Sequence, residues 1–235
     1  MNYQYSLSRK NVGPCKELIG EVHPIFVFVS TPDHPWDEEN FKAFYQEYYK
    51  ARDLLISEAA RYGVSLSIKS SYFNQRIVRE YQYKGSWFDE VLEKLFSSKD
   101  HRLLPYYEKY QKEFAASSTP FFFVFNSPGR SYALASNALL KGFESERVIM
   151  FYDLNKNAQF SIAHELLHLY GAFDLYYPEY LKNAAKTHYS ESIMYSDQGN
   201  MIDSLTAYLI GWSKAPDEIA TYFLDLIETN KGISL

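Results

Sequence analysis

The chain has 235 residues, 46% hydrophobic content and a formal net charge of -5. This length can bury one substantial core, or two closely packed subdomains. The acidic balance, without any basic stripe, argues against a nucleic-acid partner. No apolar run approaches the roughly 20 residues that a membrane span needs. Cys15 is the only cysteine, so no disulfide can form within the chain.

The first fifteen residues, MNYQYSLSRKNVGPC, are polar where a secretory signal would carry an apolar block. No signal peptide is therefore expected. The sequence as written favours the cytoplasm unless the chain is exported by another route, and it leaves the oligomeric state open.

The early part of the chain follows the order strand, helix, strand. The apolar run at 24–30 predicts a buried strand, and the alternation at 64–70 predicts a half-buried one. Between them, Asp37 is a candidate helix N-cap, and Gly63 is the matching helix stop.

The remainder is predicted to contain two helices, then three strands, then helices to the end. The helices are expected at 86–98, 104–116, 158–170, 203–213 and 217–229, and the strands at 120–126, 131–136 (a short edge strand) and 147–153. Ser86, Asn157 and Asp217 are candidate helix caps. This order predicts an α/β (α+β) protein whose N-terminal portion leads into a helical C-terminal portion, with a cleft between them.

The segment 163-AHELLHLYGAFDLYYP-178 places two histidines and two carboxylates among apolar residues. Because positions four apart share a helix face, His164 and His168 can bind one ion, and Glu165 can face a water beside it. A helix continued past Gly171 would carry Asp174 about 9 Å beyond His168. Glycine ends helices without a side-chain clash, so Gly171 can return Asp174 to the ion as a third ligand.

Two imidazoles and one carboxylate leave a fourth position open, which is typical of catalytic rather than structural zinc. Glu165 can then act as a general base toward zinc-activated water and pass the proton to the leaving amine. The pattern therefore predicts a zinc-dependent endopeptidase that hydrolyses peptide bonds without a covalent intermediate.

The run from His164 to Asp174 resembles the signature of metzincin zinc peptidases, in the form with aspartate as third ligand found in snapalysin. Its continuation to Tyr176 is similar to the immune inhibitor A peptidases. The segment 192-SIMYSD-197 resembles the metzincin methionine turn, which implies that Met194 is an apolar floor and not a ligand. Several metzincins place a tyrosine two positions after this methionine. Here Tyr195 follows it directly, so its role as oxyanion stabiliser stays open.

The resemblance covers residues 160–195. It implies a metzincin-like zincin fold with an N-terminal mixed sheet, a helical C-terminal subdomain, a cleft between them and a protein or peptide substrate. One metallopeptidase domain is expected over 1–235, with an N-terminal subdomain at 1–170 that includes the active-site helix and a C-terminal subdomain at 171–235.

Several alternatives stay open at this point. His188 or Glu191 could be the third ligand, as in the gluzincins, although Asp174 after Gly171 explains more residues. Residues 153–164 begin like a calcium loop but depart from it at the sixth and twelfth positions. Cys15 could block the zinc as a thiolate, although a buried thiol is the simpler interpretation.

Two further alternatives concern function. Either strand 120–126 or strand 131–136 could line the cleft and pair with an extended substrate. The chain could also be a catalytically silent metalloprotease-like binding or toxin module that recognises a partner through its 22 tyrosines. The intact Glu165 argues against a silent module, because binding alone does not need that carboxylate.

Overall fold

The computed structural model describes residues 3–76, 87–97, 102–139, 146–152 and 158–230. The strands are β1 (Gly20–Val22), β2 (Ile25–Ser30), β3 (Leu66–Ile68), β4 (Ser71–Arg76), β5 (Phe121–Phe125), β6 (Tyr132–Leu134) and β7 (Arg147–Phe151). The helices are α1 (Glu38–Arg61), α2 (Trp87–Phe96), α3 (Leu104–Phe114), α4 (Ala158–Leu169), α5 (Glu179–His188), α6 (Ser204–Leu209) and α7 (Glu218–Thr229). Strands with interspersed helices followed by a helical C-terminal part confirm the predicted α/β class.

The main sheet has five strands in the order β4-β2-β5-β7-β6. The first four run parallel, and β6 is antiparallel to β7 at one end. Every residue of β5 is buried, because helices cover both faces of the sheet. On one face Phe26 packs against Phe44 of α1, and on the other Phe123 packs against Trp87 of α2.

Helix α1 begins and ends where its local signals predict. The side chain of Asp37 accepts a hydrogen bond from the Asn40 backbone N–H at 2.8 Å, and Gly63 adopts φ +70° beyond the last turn. Helix α4 packs against α1. The Gln159 backbone N–H donates to the Glu47 carboxylate at 3.2 Å, so α1 helps fix the start of the helix that carries the histidine pair.

The structure differs from the sequence predictions in five elements. The predicted strand at 64–70 is the shorter β3, which pairs with the unpredicted β1 in a separate two-stranded sheet. The unpredicted β4 extends the main sheet beside β2. Helix α5 was not predicted, and α6 is shorter than the predicted 203–213. Asp217 caps α7 as predicted, whereas the candidate caps Ser86 and Asn157, and Asp153 of the calcium-like loop, lie outside the described residues.

Residues 3–19 pack against the helical C-terminal part of the chain. The backbone N–H groups of Tyr5 and Ser6 donate to the buried Glu228 carboxylate at 2.9 and 3.0 Å. The indole N–H of Trp212 donates to the Leu18 carbonyl at 2.7 Å. These bonds hold the N-terminal segment in place, and Arg9 within it reaches the C-terminal end of α4.

Within the described ranges, none of the helices combines the length and apolar character needed to cross a bilayer.

Candidate metal centre

Helix α4 ends in a reversal at Gly171. This glycine adopts φ +103°, its N–H donates to the His168 carbonyl at 3.0 Å, and the Ala172 N–H donates to the Leu167 carbonyl at 3.2 Å. A β-carbon at Gly171 would lie 2.9 Å from the Arg9 carbonyl oxygen. Both the backbone conformation and the close approach of the N-terminal segment therefore require glycine here.

The reversal brings together the three residues predicted as ligands. The Nε2 atoms of His164 and His168 lie 3.1 and 3.2 Å from Oδ1 of Asp174, and 3.1 Å from each other. Tetrahedral ligands bound to zinc at about 2.0–2.1 Å would lie roughly 3.3 Å apart, so the triangle fits a metal ion. The alternatives His188 and Glu191 are exposed and lie outside this group.

The hydrogen bonds of the other ring nitrogens fix the tautomer of each histidine ring in its neutral form. Nδ1 of His164 lies 3.0 Å from the Ile193 carbonyl oxygen, and Nδ1 of His168 lies 2.9 Å from the Ala172 carbonyl oxygen. Because a carbonyl can only accept, we assign the proton of each neutral ring to Nδ1, which leaves a lone pair on Nε2. Oδ1 of Asp174 is buried and accepts no hydrogen bond from the residues that the structure describes. Nε2 of His164, Nε2 of His168 and Oδ1 of Asp174 thus direct their lone pairs into one space. A cation bound there would stabilise this arrangement.

The surroundings keep the triad carboxylate ionised. Burial alone would raise the pKa of Asp174, but the adjacent His164 and His168 outweigh it and lower that pKa below its ordinary value. Burial alone would lower the pKa of His168, but Asp174 outweighs it and raises that pKa. The Asp174 carboxylate is therefore charged at neutral pH, as a metal ligand must be.

Glu165 is buried beside the triad, with 7% of its surface exposed, and lines the same cleft. Burial raises the pKa of Glu165, although His168 and His164 oppose this effect. Its Oε2 atom has no hydrogen-bond partner among the residues that the structure describes. A carboxylate with a free acceptor oxygen and a raised pKa suits a general base.

The segment predicted as a methionine turn contacts the triad on two sides. Met194 is fully buried, and its carbonyl accepts from the Leu175 N–H at 2.8 Å, next to Asp174. The preceding carbonyl, of Ile193, is the acceptor for His164. The turn is therefore tied to one histidine and to the neighbour of the aspartate.

Ser192 holds this turn in shape. Its Oγ accepts from the Met194 N–H at 3.0 Å and donates to the buried Asp203 carboxylate at 2.6 Å. Asp203 also caps α6 by accepting from the Thr206 N–H at 2.8 Å. The turn and the start of α6 therefore share one hydrogen-bond network.

The triad and Glu165 open onto a cleft of about 850 Å³. Its walls come from β6, from the face of α4 that carries the histidine pair, and from the chain beyond Gly171, including Tyr195. Of the two strands proposed to line it, β6 does so, whereas β5 is central in the sheet and buried. Cys15 is fully buried away from the cleft lining, and burial raises the pKa of its thiol well above the ordinary value.

Arg9, Arg130 and Tyr176 also line the cleft, and no role in the site was predicted for them from sequence. The Arg130 guanidinium lies 3.5 Å from the Tyr176 hydroxyl, and the Tyr176 ring stacks 6.1 Å from that of His164. Burial raises the pKa of Tyr176 to about 12. Tyr176 lies only two residues after Asp174, and this proximity could have indicated that it belongs to the site. Arg9 lies too far from the other site residues in sequence for such an indication.

No protein-family model and no curated protein sequence matches this chain. Among solved structures, the chain is similar to the crystal structure of metalloproteinase-II from Bacteroides fragilis, with a TM-score of 0.46 and 13% sequence identity. The similarity covers 89% of this chain and 60% of that one, so the chain spans less than two thirds of that protein's length.

Proposed function

We propose that this chain is a zinc-dependent endopeptidase that binds Zn²⁺ through His164, His168 and Asp174. The observation that carries the proposal is the triangle of lone-pair atoms 3.1 to 3.2 Å apart, with each Nδ1 engaged by a backbone carbonyl. Catalytic zinc sites use such a set of two imidazoles and one carboxylate. Bound zinc supplies Lewis-acid polarisation of the scissile carbonyl and lowers the pKa of water.

Glu165 is the proton carrier in this proposal. Its unpartnered Oε2 accepts a proton from water as the remaining hydroxyl adds to the scissile carbonyl carbon. The same carboxyl then gives that proton to the amine nitrogen as the carbon–nitrogen bond breaks. Water is thus divided between the two products, and no covalent enzyme intermediate forms.

The proposed class is that of the metzincins. The resemblance over residues 160–195 supports it, together with the reversal at Gly171 and the buried turn at Met194. In this proposal Met194 forms the apolar floor beneath the metal. Tyr195 lines the same cleft, and its phenol is the proposed oxyanion stabiliser.

The substrate is proposed to be a protein or peptide in an extended conformation. Tyr132 and Ala133 of β6 line the cleft beside the triad, so a peptide lying along this outer strand would reach Glu165. The cleft volume of about 850 Å³ is within the usual range for ligand-binding clefts.

The donor set also matches the facial triad that binds iron in oxygenases, so metal identity needs its own measurement. Purified protein is expected to contain stoichiometric zinc by mass spectrometry of its metals, and to cleave casein in a chelator-sensitive manner. Glu165→Gln is expected to retain zinc and lose about 10²- to 10⁴-fold in activity. Glu191→Gln, which changes an exposed carboxylate outside the triad, is the matched control.

Three other results would each contradict one part of the proposed function. Iron in place of zinc would contradict the assignment of the metal. Equal cleavage by Glu165→Gln would contradict the role of Glu165. A zinc-loaded chain that cleaves neither casein nor a peptide library would contradict the peptidase function and support the silent binding module.

A further inference from the structure

Two arginines line the cleft without a protein carboxylate as partner. Arg9 and Arg130 lie in the lining with the triad, and neither forms a salt bridge with any residue of the described ranges. Elsewhere Arg52 pairs with Asp53, and Arg61 pairs with Glu58. Neither guanidinium in the cleft is therefore held in an ion pair by the residues that the structure describes.

Arg9 is the more buried of the two arginines. Its guanidinium lies 5.1 Å from the ring centre of Phe173, the buried residue that precedes Asp174. Burial lowers the pKa of Arg9, and the nearby Tyr5 and Asp174 oppose that effect. Contact with an aromatic face orients the guanidinium plane and leaves its N–H groups free for a ligand.

Arg130 lines the same cleft as Glu165. Its side chain is exposed, and its hydrogen bond goes to the Tyr176 hydroxyl rather than to a carboxylate. Both arginines therefore lie in the lining of the cleft that holds the triad and Glu165.

Within the described residues, no carboxylate of the cleft forms a salt bridge with either arginine. Asp174 is assigned to the metal and Glu165 to proton transfer. Lys182 lies 3.9 Å from Glu179, and Asp197 is exposed. A carboxylate of the substrate could form an ion pair with these arginines. Guanidinium groups bind carboxylates in a bidentate geometry.

We propose that the cleft selects peptides with a carboxylate next to the scissile bond, bound by the Arg9 guanidinium and further attracted by Arg130. This inference rests on the proposed peptidase function. The carboxylate can belong to a Glu or Asp side chain or to the end of the peptide. Both sources present the same group, so the test separates them.

The test uses matched peptides that differ only by Glu or Gln at each position flanking the cleavage site, all with amidated C-termini. A parallel set compares a free C-terminus with an amidated one. The wild-type chain is expected to prefer the carboxylate by about 10-fold or more in kcat/KM, in the range that single pocket contacts provide. Arg9→Gln should reduce the preference to near unity, Arg130→Gln should reduce it partly, and Arg52→Gln should leave it unchanged.

Binding provides a second readout that does not need turnover. Fluorescence anisotropy with the zinc-loaded Glu165→Gln chain measures the affinity for the Glu and Gln peptides directly. Tighter binding of the Glu peptide, lost on adding Arg9→Gln, supports the proposal. If Arg9→Gln does not fold, the exposed Arg130→Gln still tests it.

The outcomes separate the inference from the proposed function. Equal cleavage and equal binding of Glu and Gln peptides, with equal rates at free and amidated C-termini, would overturn the carboxylate preference while leaving the peptidase intact. A preference that survives both arginine substitutions would overturn it as well. A preference confined to free C-termini would support carboxylate binding and identify the peptide end as its source. If no peptide is cleaved, the peptidase proposal fails, and the binding measurement still decides the preference.

Discussion

The Nδ1 atom of His168 lies 2.9 Å from the carbonyl oxygen of Ala172, a residue beyond the reversal at Gly171. The same turn that returns Asp174 to the histidines thus also supplies the acceptor that fixes the protonation of one of them. Backbone carbonyls commonly orient metal-binding histidines in this way. Disturbing the turn should therefore affect two of the three proposed ligands together.

Gly171→Ala is expected to destabilise the protein and weaken zinc binding. A β-carbon there would meet the Arg9 carbonyl at 2.9 Å, and φ +103° is strained for any L side chain. Strain of this kind costs about 1–3 kcal/mol before the steric contact is added. Urea unfolding of the metal-free protein and competition with a chromophoric chelator measure the two effects.

Gly63→Ala is the matched control for this substitution. Gly63 also follows a helix and has φ +70°, but among the described residues no non-neighbouring atom lies within 4 Å of a β-carbon built there. The Gly63→Ala variant should lose only roughly 1–2 kcal/mol of unfolding free energy, which is the conformational cost, and should keep its zinc affinity. Equal losses in the two variants would show that the contact with Arg9 does not matter.

Asp174→Ala is expected to weaken zinc binding by more than about 100-fold, beyond the effect typical of residues that only orient ligands. The reason is that the triad would lose its one anionic member. Asp197→Ala removes an exposed carboxylate from the same cleft and should leave the affinity unchanged. Calorimetric zinc titration compares them, and undiminished binding by Asp174→Ala would show that the assignment of this ligand is wrong.

Glu146 should make the protein less stable as pH rises from about 4.5 to about 8. Burial raises its pKa from 4.5 to about 8, although hydrogen bonds from Ser136 and the Cys15 backbone oppose the shift. Between these values the folded state binds the extra proton, so unfolding becomes more favourable as pH increases. Denaturant unfolding across this range measures the slope.

Glu146→Gln should remove that slope and stabilise the protein by about 3 kcal/mol at pH 7, at roughly 1.4 kcal/mol per pKa unit. The exposed Glu108→Gln is the control and should leave the pH profile as it is. A profile with the same slope in wild type and Glu146→Gln would show that Glu146 is already ionised in the folded protein.

Tyr195→Phe is expected to lower kcat by about 10²-fold, in the range of a lost oxyanion donor, and to leave KM nearly unchanged. Tyr176→Phe, in the same cleft, is the comparison, because its hydroxyl already contacts Arg130. Steady-state kinetics with one peptide separates them. A loss of kcat in Tyr176→Phe alone would transfer the oxyanion role to that tyrosine.

The elements that could be predicted from sequence are those with strong local signals. Helix α1 has an acidic N-cap at Asp37 and a glycine stop at Gly63, and β5 is a continuous apolar run. Strand β4 was missed because its residues alternate between half-buried and exposed at the end of the sheet. Helix α5 was missed because its polar sequence follows Pro178 and it depends on packing against α7.

The same distinction between local and distant signals applies to the residues of the candidate metal site. The approach of His164, His168 and Asp174 followed from helix spacing and one glycine. The carbonyls of Ile193 and Ala172 that orient the rings could not be predicted, because any residue can supply a backbone carbonyl. The presence of Arg9 in the cleft depends on contacts between segments that are distant in sequence, and no local sequence pattern indicates such contacts.

The bonds from Tyr5 and Ser6 to Glu228 span more than 220 residues of sequence. During synthesis these partners cannot meet until α7 has left the ribosome, by which time the segment that carries Arg9 has long been available. Contacts of such high sequence separation form slowly, since a long loop must close first. The segment that places Arg9 in the cleft is therefore fixed only after α7 has been synthesised, so the proposed recognition of a substrate carboxylate has to wait for that helix.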